Sequence, residues 1–151
     1  MRQSIQRVDH VAIIVKEENA RPYADRLTAI LGIRFEEPLV NDEHGVLMIV
    51  CWDAGLEIIA PTREQGGYWD RLQRYGEGSA AIVFGVANLD EAIGRARANG
   101  ASVPFEARLN GTEPWAARFS SFREARLSEL AENLSCSFTL SEIVPVQIPS
   151  E

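Results

Sequence analysis

Two side chains that can carry acid–base chemistry lie within otherwise apolar stretches of the chain. His10 lies in residues 8–15, VDHVAIIV, and Glu57 lies in residues 55–61, GLEIIAP. Histidine can gain or lose a proton near neutral pH and a carboxylate can accept one, so both residue types suit general acid–base catalysis. The ordinary structural explanation of His10 is a hydrogen-bonded core residue.

The orientation of Glu57 decides whether it can serve chemistry. A carboxylate in an apolar strand is costly to bury without a partner. If Glu57 points inward, it needs a cation, a protonated His10 or a group of a bound ligand. If it points outward, it is the polar face of an edge strand. We expect the inward orientation.

Aromatic and basic side chains offer further groups for binding a ligand. Tryptophans could line a pocket for a flat molecule, and arginines could hold a carboxylate or phosphate through paired hydrogen bonds. We assign Trp52 and Arg123 to ligand binding. Core packing is the alternative for the tryptophans, and surface pairing with Glu124 and Glu129 is the simpler explanation for the arginines. The residues concerned are Trp52, Trp69 and Trp115, and Arg118, Arg123 and Arg126.

The elements that would position these groups follow the order β-α-β-β-β in the first half of the chain. Residues 8–15 are β-branched and apolar, which predicts a buried strand. Asn19 is expected to cap a helix that ends at Gly32. Three further strands are predicted, with turns between them. The strands are residues 33–37, 46–52 and 56–60, and the turns are residues 41–45 and 53–55.

The same order recurs in the second half, which makes an internal repeat the main indication of the fold. Residues 81–86 predict a buried strand, and Asn88 with Glu91 forms a capping box for a helix that Gly100 closes. The fold class is therefore α+β, with two βαβββ modules. The modules cover about residues 6–61 and 79–146, and the linker at 62–78 carries a short helix. The later extended stretches of the second module are about residues 103–105, 119–126 and 134–144. For residues 125–130 a helical turn is the alternative.

Composition indicates a globular domain and excludes several kinds of partner. The chain has 151 residues, of which 46% are hydrophobic and 25% charged, enough for an independent core. A net charge of −7 and scattered arginines argue against nucleic acid. No apolar run reaches the roughly 20 residues of a membrane span, and no signal core is present, so we expect no membrane association and a cytoplasmic location. Cys51 and Cys136 are expected to be free, buried thiols.

The doubled βαβββ order resembles the vicinal oxygen chelate superfamily, which includes glyoxalases, bleomycin-resistance proteins and extradiol dioxygenases. Residues 8–13 resemble the opening strand of glyoxalases and methylmalonyl-CoA epimerases. Residues 55–61 resemble the last strand of the first module, and residues 85–92, GVANLDEA, resemble the strand-to-helix junction of the second. The resemblance implies modules related by pseudo-two-fold symmetry, with an open curved sheet that forms a cup.

In metal-dependent members of this superfamily, four side chains from the first and last strands of both modules hold a divalent ion. Carried onto this chain, the first-module pair is His10 and Glu57, which suit Zn²⁺, Ni²⁺, Mn²⁺ or Fe²⁺. Ala81 and Thr139 occupy the second-module positions, and Glu142 should face away from Thr139. Because stable sites usually need three or four protein ligands, the resemblance implies no cofactor or a weakly held Zn, Ni, Mn, Fe or Co ion. Thr139 then becomes a candidate ligand-binding residue.

Three functions are compatible with these residues. The first is an isomerase, epimerase or lyase acting beside a carbonyl group, with His10 and Glu57 as acid and base within hydrogen-bonding reach. Stabilising the enolate would need an arginine, backbone donors or a recruited metal. The second is a metal-free protein that binds or sequesters a small aromatic or planar molecule, and the third is a degenerate domain with a structural or regulatory role. The expected partners are a small-molecule ligand and, because relatives commonly dimerise, a second copy in a homodimer.

Overall fold

The predicted order β-α-β-β-β is present twice in the computed structural model, which describes residues 5–109, 111–130 and 135–149. The α+β fold class is thus confirmed. The first set consists of β1 (Arg7–Ile14), α1 (Glu17–Leu31), β2 (Leu39–Asn41), β3 (Val46–Cys51) and β4 (Leu56–Pro61). The linker forms α2 (Gly67–Tyr75), and the second set consists of β5 (Gly78–Gly85), α3 (Leu89–Ala98), β6 (Ser102–Arg108), β7 (Phe119–Ser128) and β8 (Ser137–Pro145), with a 3-10 turn at Ala116–Arg118 before β7.

The chain forms two compact units. The first unit is His10–Ala81, and the second unit is Met1–Asp9 together with Ile82–Glu151. In the first unit the strand order is β2-β3-β4-β1, in which only the β4–β1 pair is parallel. In the second unit the order is β5-β8-β7-β6, in which the β8–β7 and β7–β6 pairs are antiparallel.

The two faces of the sheet in the first unit are covered by different helices. Helix α1 buries Ala20 and Ala24 against the face that carries Ile58. Helix α2 buries Leu72 in a separate cluster with Ile14. Because side chains alternate along a strand, residues 10, 12 and 14 of β1 share the face that is turned away from α1.

In the second unit, helix α3 packs on one face of the sheet. Its Leu89 and Ile93 form a buried cluster with Ala125 of β7 and Leu140 of β8. Alternation then turns residues 124 and 126 of β7, and 139 and 141 of β8, to the face away from α3.

The predicted helix ends are correct where the capping group is local. The Asn88 side chain accepts the Glu91 backbone N–H at 3.1 Å, as the capping box requires. Gly32 ends α1 with φ of 66°, a left-handed conformation that glycine adopts without steric cost. Gly100, with φ of 85°, follows the last residues of α3 in the same way.

The prediction that Asn19 caps α1 is wrong. The helix begins at Glu17, and Lys16 is its N-cap residue without a side-chain cap. The Glu77 carboxylate instead accepts both the Lys16 backbone N–H at 2.9 Å and the Asn19 side-chain amide at 2.6 Å. The start of α1 is therefore capped by a residue 61 positions away in sequence.

The predicted strand at residues 33–37 is not formed. These residues contribute the backbone hydrogen bond from Glu36 N–H to Val50 O at 2.8 Å, and strand pairing with β3 begins only at Leu39. Pro38 lies between Glu36 and Leu39, and a proline has no backbone N–H to donate to a neighbouring strand. In the second unit, β7 continues to Ser128, so the alternative helical turn at 125–130 is also wrong.

Replacing Glu77 by Gln is expected to destabilise the protein at neutral pH but much less in acid. The side-chain hydrogen bond from Asn19, and then the backbone N–H of Lys16, holds the pKa of Glu77 below its usual 4.5. A carboxylate with a depressed pKa stabilises the fold above its unfolded-state pKa, and this contribution is lost as pH falls through the folded-state value. For an exposed cap the loss at pH 7 should be about 0.5–1 kcal/mol. Thermal unfolding of the parent and E77Q between pH 7 and pH 3 tests this prediction. The difference between their unfolding midpoints should shrink as the pH falls, and a difference that stays constant would contradict it.

Three smaller predictions can be compared with the structure. Within the described residues, no helix is long and apolar enough to cross a membrane. Cys51 and Cys136 are both free thiols, as predicted. Cys51 is buried, whereas Cys136 is only partly buried, so the prediction of full burial is wrong for Cys136.

Candidate active site

His10 and Glu57 lie on the same face of the sheet in the first unit. Ala12 of β1 is aligned with Glu57 in the parallel β1–β4 pair, and aligned residues point to the same side. His10 shares that side with Ala12, so Glu57 has the inward orientation and faces away from α1. The His10 Nε2 atom lies 3.4 Å from Glu57 Oε2, a close approach that is longer than the roughly 2.7–3.2 Å of an ordinary N–H···O hydrogen bond.

The two side chains differ in their access to solvent. The His10 side chain is 1% exposed, whereas the Glu57 side chain is 17% exposed. A small molecule that approached this face would therefore meet the carboxylate, and the imidazole would act from behind it. The carboxylate is therefore the accessible group of the pair and the imidazole the buried one.

Trp52 packs directly against His10. The two rings meet edge to face, with centroids 5.3 Å apart and planes at 83°. This is a favoured geometry for aromatic pairs and restricts rotation of the imidazole. Trp52 follows the last residue of β3, so the end of that strand positions the ring. Its predicted contact with a ligand stays a prediction.

In the second unit, Thr139 lies on the sheet face turned away from α3. Thr139 is 8% exposed, and it is aligned with Arg126 across the β7–β8 pair. Glu142 lies on the opposite face, as its spacing from Thr139 predicts, and there it approaches Arg123. Ala81, the last residue of the first unit, packs against the cluster that contains Ile14 and brings no polar group.

The structure does not bring Arg123 to the face of Thr139. Its guanidinium donates to both carboxylate oxygens of Asp90, at 2.8 and 3.2 Å, and lies 3.6 Å from Glu142. This hydrogen bonding raises the pKa of Arg123 and lowers the pKa of Asp90. Arg123 thus tethers α3 to the sheet. Its partners are Asp90 and Glu142 rather than the expected Glu124 and Glu129, and it is not placed to share a ligand with Thr139.

Arg126 is the arginine that shares a face with Thr139; the sequence offered it only as one of three candidate arginines, and Arg123 was assigned to ligand binding instead. Its guanidinium carbon lies 5.9 Å from the centroid of the Phe105 ring, in a cation–π arrangement. Alternation along β7 separates Arg123 from Arg126, because positions three apart in a strand face opposite sides. Only the strand register with β8 tells which of the two faces Thr139.

The side chains at the four superfamily positions do not fit a bound divalent ion. His10 and Glu57 are good donors, Ala81 has none, and the Thr139 hydroxyl is a weak neutral one. Among the residues that the structure describes, no group of three or more His, Cys, Asp or Glu side chains could hold a metal.

No protein-family model and no curated protein match the chain, but solved structures do. A Streptomyces coelicolor methylmalonyl-CoA epimerase variant in complex with 2-nitronate-propionyl-CoA is 25% identical, with 97% of this chain and 100% of that chain covered and a TM-score of 0.72. The Mycobacterium tuberculosis methylmalonyl-CoA epimerase is 20% identical, with 96% and 93% covered and a TM-score of 0.71. A methylmalonyl-CoA epimerase in complex with methylmalonyl-CoA and NH4+ is 24% identical, with 92% and 95% covered and a TM-score of 0.70.

Proposed function

We propose that this chain, which has the vicinal oxygen chelate fold of the methylmalonyl-CoA epimerases, is an acid–base enzyme that moves a carbon-bound proton beside a carbonyl group. The observation that carries the proposal is the 3.4 Å approach of His10 Nε2 to Glu57 Oε2 on one face of the sheet. Catalytic hydrogen bonds are often long in ligand-free structures and tighten when substrate binds, so a carboxylate and an imidazole this close need only a small shift to share a proton.

The difference in exposure supports a division of labour within the pair. Glu57, the more accessible group, takes the proton from the carbon next to the carbonyl group. The electrons of the broken C–H bond move to the carbonyl oxygen, which becomes an enolate. Return of the proton from Glu57 to a neighbouring atom on the same side gives isomerisation, whereas epimerisation needs in addition a proton donor on the opposite side of the carbon. The buried His10 orients Glu57 and exchanges a proton with it.

The substrate class in this proposal is a small metabolite with an acidic proton beside a carbonyl group. The named ligands of the similar solved structures are CoA thioesters, which makes thioesters the first compounds to test. A thioester carbonyl acidifies the neighbouring C–H bond, so a carboxylate base can remove the proton if the enolate oxygen is stabilised.

Proton exchange with solvent tests the proposal without knowledge of the natural substrate. The protein is incubated in D₂O with a panel of acyl-CoA thioesters, 2-oxo acids and ketones, and deuterium at the α-carbon is followed by NMR and mass spectrometry. We expect exchange in at least one of these compounds, at a rate unchanged by a chelator. Absence of exchange throughout, or exchange only after a divalent metal is added, would overturn the two-residue proposal.

A metal-free binding protein is the second candidate. It is favoured by Ala81 and Thr139, which replace two of the four metal-ligating positions implied by the resemblance. Stoichiometric binding of a compound that never exchanges its α-proton would support this candidate over the enzyme. In either case we propose a homodimer, for which light scattering should give about twice the chain mass of 16.8 kDa.

A further inference from the structure

The sheet face of the second unit that is turned away from α3 carries a row of three side chains. Phe105 of β6 is aligned with Arg126 of β7, and Arg126 is aligned with Thr139 of β8. The neighbouring row on the same face contains Glu124, aligned with Ser141. Hydrophobic, cationic and hydroxyl groups are thus adjacent in the first row.

Arg126 differs from Arg123 in the use of its charge. Arg123 is held by two carboxylates on the α3 face. Arg126 is exposed and lies over the Phe105 ring, and it makes no ion pair with any residue in the described parts of the chain. A guanidinium that rests on an aromatic ring keeps its N–H groups available for an anion.

Thr139, which is aligned with Arg126, adds to the difference between the two arginines. In the metal-dependent pattern implied by the resemblance, position 139 carries a carboxylate, which would neutralise an aligned arginine. Thr139 instead offers a neutral hydroxyl, which can donate a hydrogen bond to an anion. The replacement that removes a metal ligand therefore leaves a cationic group with a donor next to it.

We infer that Arg126 and Thr139 form a subsite for the anionic group, carboxylate or phosphate, of a small ligand, with the Phe105 ring against its apolar part. Phe105 is 40% exposed, so its ring is accessible to a planar molecule. The inference rests on the proposed function only in taking the ligand to be a small metabolite.

Benzoate is a suitable probe because it joins a carboxylate to a flat ring, and benzamide is its neutral counterpart. Binding to the full-length protein is measured by calorimetry and by NMR of the arginine Nε–H groups. Arg126→Gln should weaken benzoate binding about tenfold or more, as expected for a lost charge-assisted pair. Arg123→Gln removes the same charge from the other face and should change the affinity less than about twofold. Benzamide should bind the parent no better than it binds R126Q.

Each result of this experiment decides the inference. Competition of inorganic phosphate with benzoate would assign the subsite to anions in general, and lack of competition would restrict it to carboxylates. Equal benzoate affinity of parent and R126Q, equal loss in R123Q, or no binding to the parent would overturn it. Thermal unfolding checks that R126Q is folded, and Thr139→Val tests the hydroxyl independently with a similar shape. The subsite is judged by benzoate binding to R126Q and the acid–base proposal by α-proton exchange in E57Q, so failure of one and failure of the other give different results.

Discussion

Replacing Glu57 by Gln should slow exchange of a substrate α-proton by about 10²- to 10⁴-fold, the usual contribution of a positioned general base. The amide keeps the shape of the side chain but cannot accept the proton. Because Glu57 is partly exposed, the variant should fold like the parent, with a thermal unfolding midpoint changed by only a few degrees. Initial exchange rates in D₂O and thermal unfolding, measured on the same preparations, test both expectations.

The matched control is Glu18→Gln, the same substitution at an exposed position of α1. This variant should exchange the proton at the parental rate. If E57Q also kept a rate within about threefold of the parent, Glu57 would not be the base. Slower exchange in E57Q is evidence for Glu57 as the base only if the variant also shows a native unfolding transition, because an unfolded protein would lose activity for any reason.

Replacing His10 by Ala should have a comparable effect on rate and a larger effect on stability. The substitution removes the proton partner of Glu57, and it also removes the ring against which Trp52 packs. His10 is 2% exposed, so the loss of this buried side chain and its contacts should cost about 1–3 kcal/mol of unfolding free energy. We expect the exchange rate to fall by about 10²- to 10⁴-fold, measured well below the unfolding midpoint.

Val15→Ala separates the two effects of His10→Ala. Val15 is buried on the opposite, α1-covered face, and its truncation should also cost about 1–3 kcal/mol. This control should keep the parental exchange rate at temperatures where it is folded. A rate loss in V15A equal to that in H10A would show that activity follows stability and that His10 has no chemical role.

The sequence was sufficient for the parts of the site that depend on local rules. The strands that carry His10 and Glu57 are apolar and β-branched, and the α3 cap joins residues only three apart, so periodicity and capping preferences predict them. The shared face of His10 and Glu57 came from the resemblance, since no local rule pairs residues 10 and 57. The structure places the two side chains on the same face, 3.4 Å apart.

Two of the errors involve contacts between residues far apart in sequence. Asn19 has the side chain of a good cap, but Glu77 reaches the start of α1 from another part of the first unit and takes Asn19 as a partner. Arg123 and Arg126 could not be distinguished, because a strand register shifted by one residue exchanges the two faces. Only the alignment of β7 with β8 places Arg126, rather than Arg123, beside Thr139.

A double-mutant cycle on proton exchange tests most directly whether His10 and Glu57 act as one acid–base unit. Exchange rates are measured for the parent, H10A, E57Q and the double variant, each in its folded temperature range. If the residues act as a unit, the double variant should be no slower than the slower single variant, within about threefold, because either change already disables the pair. If the two losses multiply in the double variant, the residues act independently and the pair is not the catalytic unit.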